Sequence, residues 1–398
     1  MTAEVAPAGA TRVVVALGTA QTLAWASSYY VPAILAVPMA RDLGIAPSWV
    51  FGAFSAALVL SALLGPAVGR AIDRRGGRGV LALSSLVLAA GLLLLAVAPG
   101  STVMVLGWLI LGVGMAMGLY DAAFATLAGL YGRAARGPIT GITLIAGFAS
   151  TVGWPLSALM AEAFGWRGAC LGWAGLHLLL GLPLNRLLVP PAPPPGRAAA
   201  RAAAENVPPP RFAMPLLAFA FAGTWFVTGA MAAHLLQLLQ AAGATPALAI
   251  GAAALIGPAQ VAARVAEFGL LRRFHPLVSA RLATLGHPLG VAALAVFGGP
   301  AAAAFAVLHG MGNGVLTIAK GTLPLAVFGP GGYGARQGLL GAPARLLQAA
   351  SPFLFGLVLE RAGVQAALTL TTGCSLLALL ALLLLRLASP SALPARPA

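Results

Sequence analysis

Four charged side chains stand in stretches of this sequence that are otherwise almost entirely apolar. Three are basic, Arg264, Lys320 and Arg345, and one is acidic, Asp121. A charge at the middle of a membrane costs roughly 2.5 to 3.5 kcal/mol on insertion scales, so we expect these residues to serve a function. At a rise of about 1.5 Å per helical residue, each lies roughly 12 to 18 Å from an end of its apolar stretch, near the bilayer midplane. Three cations and one anion at that depth predict a site for an organic anion such as a carboxylate.

A structural interpretation of the same charges is also open. Arg264 could pair with Glu267 one helical turn away. Asp121 could pair with Lys320 as a fixed bridge, which would leave Arg345 without a partner. In a transport cycle, Asp121 would instead carry the proton or neutralise Lys320 when the site is empty. Lys320 is the only lysine in the chain, and a lysine can lose its proton when desolvated, whereas an arginine cannot.

Polar and aromatic residues in other apolar stretches are further candidates for the substrate site. Tyr120, Trp225 and Asn313 are of this kind, and His234 could move a proton because imidazole titrates near physiological pH. A structural role stays open for each, since aromatic residues in membrane helices often pack or anchor at the interface. The sequence shows no nucleophile elbow, metal-ligand spacing or phosphate loop. We therefore predict no enzyme activity, no cofactor and no metal site.

The composition places these residues in an integral membrane protein. Hydrophobic residues make 60% of the 398 positions and charged residues 8%, against roughly 25% charged in soluble domains. The formal charge of +15 is spread as single residues or short groups between apolar runs, which argues against a nucleic-acid partner. Runs of ~20 apolar residues span a bilayer, and there are twelve: Val13 to Ala40, Trp49 to Ile72, Gly79 to Pro99, Thr102 to Tyr131, Pro138 to Ala163, Arg167 to Leu188, Phe212 to Gln240, Ala247 to Leu271, Ser279 to Phe297, Pro300 to Phe328, Gly338 to Leu359 and Val364 to Leu387.

The order of these runs predicts two six-helix bundles, at 13–188 and 212–388. Between them, 189–211 is rich in Pro, Ala and Arg and reads as a cytoplasmic linker. The halves match at an offset of about 198 residues, as expected for a transporter built from repeats. With both termini cytoplasmic, 17 basic residues fall in inner segments and 3 in outer loops. The positive-inside rule favours that orientation.

A short charged turn, from Gly69 to Arg78, joins the second and third apolar runs. Its pattern G-x-x-x-D-R-x-G-x-R resembles the signature loop of the major facilitator superfamily of secondary transporters. The resemblance extends over the whole chain. It implies an all-α integral membrane fold with twelve transmembrane helices in two pseudo-symmetric six-helix bundles. In this family the first, fourth, seventh and tenth helices line the cavity, so the resemblance implies that Tyr120, Trp225 and Asn313 line it.

The resemblance also implies roles for residues of the turn. Gly69 would allow close helix approach, and Asp73 would cap the start of a neighbouring helix. Arg74 and Arg78 would make ion pairs that latch one conformation. The family often places their acidic partner at the end of the fourth helix, but 127–133 contains no acid, so their partner is not identified.

The chain is similar, more narrowly, to the oxalate:formate and monocarboxylate porter branch of that superfamily. Arg264 and Arg345 are placed much like the basic pair of this branch. The first half carries short matching segments: Tyr29-Tyr30-Val31-Pro32, Leu119-Tyr120, Phe124-Ala125-Thr126-Leu127 and Phe164-Gly165-Trp166-Arg167. Where drug antiporters have Gly-Pro-x-x-Gly-Gly in the fifth helix, this chain has Gly153-Trp154-Pro155.

These resemblances imply a secondary active transporter of the inner membrane that moves a small organic anion by alternating access. Transport would be coupled to protons or to a counter-solute, and the protein would act as a monomer in the lipid bilayer. One alternative is proton-driven efflux of a drug or of an arsenite-like metalloid compound. Another, of a different class, is a non-transporting membrane sensor on a transporter scaffold.

Overall fold

The computed structural model describes residues 9–193, 210–270 and 273–385, in which all regular secondary structure is helical. Nine continuous helical stretches are long and apolar enough to cross a membrane. One of them, Ser101–Leu188, comprises three crossings, and another, Tyr333–Leu384, comprises two. The described residues therefore make twelve crossings, which confirms the predicted number. We number these α1 (Ala10–Asp42), α2 (Pro47–Arg75), α3 (Gly77–Ala96), α4 (Ser101–Gly118 and Tyr120–Tyr131), α5 (Arg136–Ala146 and 149–164), α6 (166–188), α7 (Ala213–Ala241), α8 (Pro246–Gly269), α9 (Pro276–Phe297), α10 (Ala302–Phe328), α11 (333–362) and α12 (364–384).

Glycines produce the sharpest reversals between helices. Gly165 separates α5 from α6 with φ of 71°, and Gly363 separates α11 from α12 with φ of 80°. A residue with a β-carbon is strained in this left-handed region, so glycine is favoured at both turns. The two bends occupy equivalent places in the two halves, after the fifth helix of each. The predicted boundaries agree closely, although α11 begins at Tyr333, before the predicted Gly338.

Two irregularities in the first half lie beside candidate site residues. In α1, Trp25–Tyr29 forms a π-helical turn, a feature that recurs at functional sites. In α4, the chain is extended at Leu119, with φ of −86° and ψ of −175°, and a new helix starts at Tyr120. Gln21 of α1 donates through Nε2 to the carbonyl of Gly118, which the break frees, at 2.5 Å. Such breaks are tolerated in a membrane when the freed backbone groups find partners.

Each half of the chain has its own apolar core. A large buried cluster that includes Trp108 and Trp173 draws its buried members from α1 to α4, α6 and the loops between them. A second, which includes Phe305 and Phe355, draws its buried members from α7 to α12 and their loops. This separation is the two-bundle arrangement of the predicted fold. Most of the predicted linker, 194–209, lies outside the described residues, as do Leu271, Arg272 and 386–398.

The two bundles meet most closely at one end of the molecule. Because successive helices reverse direction, the connections after α2, α4, α8 and α10 all lie at that end. We call it the charged end, since it holds the turn 70–78. Hydrogen bonds between the bundles run from the charged end, where Asp73 meets α11, to mid-helix, where Tyr29 Oη and Gln348 Nε2 are 3.0 Å apart. The bundles are therefore closed against each other at the charged end.

Candidate functional site

Asp121 is the centre of a buried ionic cluster between the bundles. Its Oδ1 lies 3.1 Å from Lys320 Nζ, and its Oδ2 lies 2.6 Å from Arg345 Nη2. Gln337 donates through Nε2 to Oδ1 at 3.0 Å. Asp121 belongs to the first turn of the second segment of α4, where the helix dipole also stabilises a negative charge. One carboxylate from the first half is therefore shared by two cations from the second half.

The prediction that a bridge between Asp121 and Lys320 would leave Arg345 without a partner is wrong. The two oxygens of one carboxylate accept from both cations, a geometry that its four lone-pair sites allow. Arg345 also donates through Nη1 to Ser61 in α2, at 3.1 Å to Oγ and 3.3 Å to the carbonyl oxygen. With two cations and one carboxylate, the cluster has a net charge of +1.

A line of small residues allows α2 and α11 to cross in contact. Along α2, Ser61, Gly65 and Gly69 recur every fourth residue and face α11. A β-carbon on Gly69 would overlap the carbonyl of Gly334, and one on Gly338 would lie 2.5 Å from the carbonyl oxygen of Gly65. Each helix thus presents a Gly-x-x-x-Gly pair to the other, the spacing that permits close approach in membranes.

Asp73 continues this line at the charged end. Its Oδ1 accepts from the backbone N–H of Gly334 and its Oδ2 from that of Ala335, both at 2.8 Å. The carboxylate therefore binds the free N–H groups at the start of α11, which otherwise lack partners. Arg74 and Arg78 make no ion pair with any residue in the described ranges. Their latching role stays a prediction.

Arg264 in α8 is the second cationic centre at the bundle interface. It is 5% exposed, and its hydrogen bonds are long, 3.4 Å from Nη1 to the Thr143 carbonyl and 3.4 Å from Nη2 to Gln260 Oε1. Its Nε has no hydrogen-bond partner. The suggested pairing with Glu267 is wrong for this conformation, because Glu267 Oε1 lies 3.3 Å from Arg136 Nη2.

An aromatic wall from the first bundle stands beside this interface. The ring of Trp25 lies 5.1 Å from Tyr29 and 5.0 Å from Tyr120, measured between centroids. Tyr30 and Tyr120 lie within electrostatic range of Arg264. The π-helical turn in α1 and the break in α4 place these rings on the same side. Tyr120, a predicted site residue, is therefore next to Asp121 in the chain and also near Arg264.

Of the remaining predicted site residues, one lies beside the Asp121 cluster and two lie elsewhere. Trp225 in α7 belongs near the cluster, since its ring centroid is 5.1 Å from Lys320 Nζ. Asn313 lies inside the second bundle, where its Oδ1 accepts a hydrogen bond from Thr228 Oγ1 at 3.0 Å. The residue lines a cavity of about 20 Å³. His234 bonds through Nε2 to the carbonyl of Pro352 at 2.8 Å. The contacts of Asn313 and His234 are with residues outside the Asp121 cluster.

The sequence analysis missed Gln337, Ser61 and the pair of Arg136 with Glu267. Gln337 is fully buried and lies two helical turns before Arg345 on the same face of α11. Its spacing from Arg345 in an apolar helix was a usable signal. Nothing local in the sequence indicates Ser61, because a serine is common in membrane helices and its role depends on which helix it meets.

Comparison with known proteins agrees with this architecture. The family model of the Major Facilitator Superfamily matches residues 17–306. The chain belongs to this superfamily. It is 28% identical over 351 residues to an uncharacterized 38 kDa protein in the 23S RNA operon of Thermoproteus tenax, an alignment that covers 87% of this chain and 88% of that protein.

Solved structures of superfamily members have the same fold. The human organic anion transporter MFSD10 (TETRAN) superposes with a TM-score of 0.73 at 19% identity, covering 94% of this chain and 99% of that one. FucP in its outward conformation gives 0.72 at 13% identity, again with 94% and 99% coverage. At these identities the likeness shows the fold alone. Membership of the superfamily makes the protein a multi-pass membrane transporter and not an enzyme.

Proposed function

We propose that this major facilitator protein transports a small organic anion, such as a carboxylate, with Arg264 as its principal contact. The observation that carries the proposal is that Arg264 is buried and has no carboxylate partner among the described residues. A guanidinium cannot be neutralised by losing its proton, and burial of an unpaired charge is costly. Within the described ranges no carboxylate lies in ion-pair distance of Arg264, and its Nε is unpaired. A carboxylate substrate would supply the missing charge and accept from two guanidinium N–H groups at once.

The surroundings of Arg264 suit an anion with an apolar or aromatic part. The Trp25 and Tyr120 rings offer flat apolar faces, and tyrosine hydroxyls can hydrogen-bond a second polar group. Lys320 and Arg345 add positive charge that Asp121 offsets only in part. Among the described residues, Asp121 is the one carboxylate that pairs with any of Arg264, Arg345 and Lys320, so these cations are in excess, which favours an anion over a cationic drug.

Alternating access is the mechanism that this architecture supports. We assign 13–188 and 212–388 to the two moving bundles and 189–211 to the linker between them. We also infer that the charged end and both termini face the cytoplasm of a cell whose inner membrane holds the protein, because the basic residues concentrate there. The described conformation would then be closed toward the cytoplasm, with Gly69 against Gly334 and Gly65 against Gly338, and ready to receive substrate from outside.

Asp121 is the proposed coupling residue. It is buried and its charge joins helices of both bundles, so a change in its protonation or partner alters the attraction between them. We expect Asp121→Asn to retain exchange of substrate across proteoliposomes while losing accumulation driven by a proton gradient. Equal loss of exchange and accumulation would contradict the coupling role.

Binding of anions to purified protein tests the proposed substrate class. A ligand that binds only the native state raises stability by about 2.7 kcal/mol at a hundredfold excess over its dissociation constant. We expect one or more small mono- or dicarboxylates to raise the melting temperature of the wild type and not of Arg264→Gln. Arg361→Gln, at an exposed position, is the matched control and should respond like the wild type. Stabilisation by cationic drugs or arsenite instead would favour the efflux alternative.

A further inference from the structure

Glu267 joins the bundles at the charged end through an ion pair with Arg136. Arg136 begins α5 in the first bundle, and Glu267 lies in the last turn of α8 in the second. Nη2 of Arg136 is 3.3 Å from Oε1 of Glu267, while Nη1 donates to the carbonyl of Phe274 at 2.8 Å. Glu267 is 2% exposed, and its Oε2 has no hydrogen-bond partner. The carboxylate therefore has an unused acceptor inside the protein.

Arg264 has an unused donor on the same helix. It precedes Glu267 by three residues, a spacing that puts two side chains on one face of a helix with β-carbons about 5–6 Å apart. Helical side chains lean toward the N-terminus of their helix, so the Glu267 carboxylate leans toward Arg264. The unpaired Nε of Arg264 and the unpaired Oε2 of Glu267 therefore belong to neighbouring side chains on one face of α8.

We propose that Glu267 exchanges between Arg136 and Arg264 during the cycle and acts as the release residue of the anion site. In the described conformation, Arg136 holds Glu267, which leaves Arg264 open to a ligand. When the charged end opens, Arg136 moves away with the first bundle, whereas Arg264 and Glu267 stay together on α8. Glu267 then pairs with Arg264 and displaces the bound anion.

This exchange keeps the number of unpaired buried charges low in both conformations. With the charged end closed, the substrate neutralises Arg264 and Arg136 neutralises Glu267. With the charged end open, Arg264 and Glu267 neutralise each other after the substrate leaves, and Arg136 is exposed to water. The release role rests on the proposed function, but the competition between Arg136 and Arg264 for Glu267 does not.

Thiol cross-linking across the charged end measures that competition without a substrate. Cysteines at Gly137 and Phe274 flank the ion pair; both positions are exposed, and a β-carbon at Gly137 meets nothing within 4 Å. The native Cys170 and Cys374 are replaced by alanine. A bifunctional maleimide then reports how often the charged end is closed, from the initial rate of cross-linking in proteoliposomes.

The cross-linking rate is compared in a double-mutant cycle of the double-cysteine protein: with no further change, with Glu267→Gln, with Arg264→Gln and with both substitutions. We expect Glu267→Gln to change the cross-linking rate little, because it removes the pair with Arg136 from the closed conformation and the pair with Arg264 from the open one. Arg264→Gln should raise the rate by about tenfold, the effect of one charge-assisted hydrogen bond, because Glu267 loses its partner in the open conformation only. In the double variant the rate should equal that of Glu267→Gln alone. Glu162→Gln, at an exposed acid, should leave the rate unchanged.

Two results would overturn the exchange: Arg264→Gln leaves the rate unchanged, or it changes the rate equally with and without Glu267. Anion binding is scored separately. If a carboxylate stabilises the protein, Glu267→Gln should bind it more tightly and release it more slowly. If the cycle is non-additive but no anion binds any variant, the exchange is supported and the proposed anion substrate is refuted.

Discussion

Removal of the Asp121 charge is the perturbation whose consequence follows most directly from the structure. In Asp121→Asn, Lys320 Nζ and Arg345 Nη2 lose the charge that lies 3.1 Å and 2.6 Å from them. The Asn side chain can still accept one hydrogen bond, but it cannot neutralise either cation. The loss of one partner from a buried ion pair typically costs about 3–5 kcal/mol, because the remaining charge is buried without compensation.

That cost should appear as a fall in melting temperature of roughly 5–10 °C, given about 2 °C per kcal/mol for a large chain. Thermal unfolding of detergent-purified protein, followed by intrinsic fluorescence, is the assay. Glu162→Gln is the matched acid-to-amide control at an exposed site and should change stability by about 0.5 kcal/mol or less.

A second substitution makes the prediction specific to charge. Adding Lys320→Met to Asp121→Asn restores the wild-type net charge of the cluster, so the double variant should recover a large part of the lost stability. By contrast, Lys320→Met alone leaves a neutral pair of Asp121 with Arg345 and should destabilise less than Asp121→Asn. If Asp121→Asn melts like the wild type, or if Lys320→Met adds to its destabilisation, the carboxylate does not hold the cluster.

Two further predictions concern the charged end. Gly69→Ala places a methyl group against the carbonyl of Gly334, so it should favour the conformation open at the charged end and lower the rate of cross-linking between the cysteines introduced at 137 and 274. Gly79→Ala, where a β-carbon meets nothing within 4 Å, should leave that rate unchanged. His275 caps α9 by accepting from the Leu277 N–H at 3.1 Å, and burial, with Arg136 and Arg281 nearby, lowers its pKa. Because the pKa of His275 is lower in the folded than in the unfolded state, stability should fall as the pH drops below about 6.5. The loss should be about 1 kcal/mol, the contribution of the cap. His275→Asn should remove this pH dependence when melting temperature is measured from pH 7.5 to 5.

The membrane helices could be predicted because their signal is local. Each long apolar run has only one stable form in lipid, a helix that satisfies its own backbone, and the bends at Gly165 and Gly363 fell where two runs met. The break at Leu119 could not be predicted, because it lies within a continuous apolar run. It depends on Gln21 of another helix to bind the freed carbonyl.

The residues at the site were easier to find than their partners. Buried charges such as Asp121 and Lys320 are conspicuous in an apolar sequence, so both were identified. Which cation pairs with Asp121 depends on contacts between helices that are far apart in sequence. Arg345 reaches Asp121 because glycines allow α2 and α11 to cross in close contact. The same is true of Glu267, for which the adjacent Arg264 was the obvious local partner and the distant Arg136 is the observed one.

Counterflow of a labelled organic anion in proteoliposomes tests the central claim most directly. Vesicles are loaded with the unlabelled carboxylate that stabilises the purified protein, and uptake of the same labelled compound is followed. We predict transient accumulation with the wild type and with Arg361→Gln, and none with Arg264→Gln. Counterflow of a neutral or cationic solute that is unaffected by Arg264→Gln, with no counterflow of any carboxylate, would contradict the account.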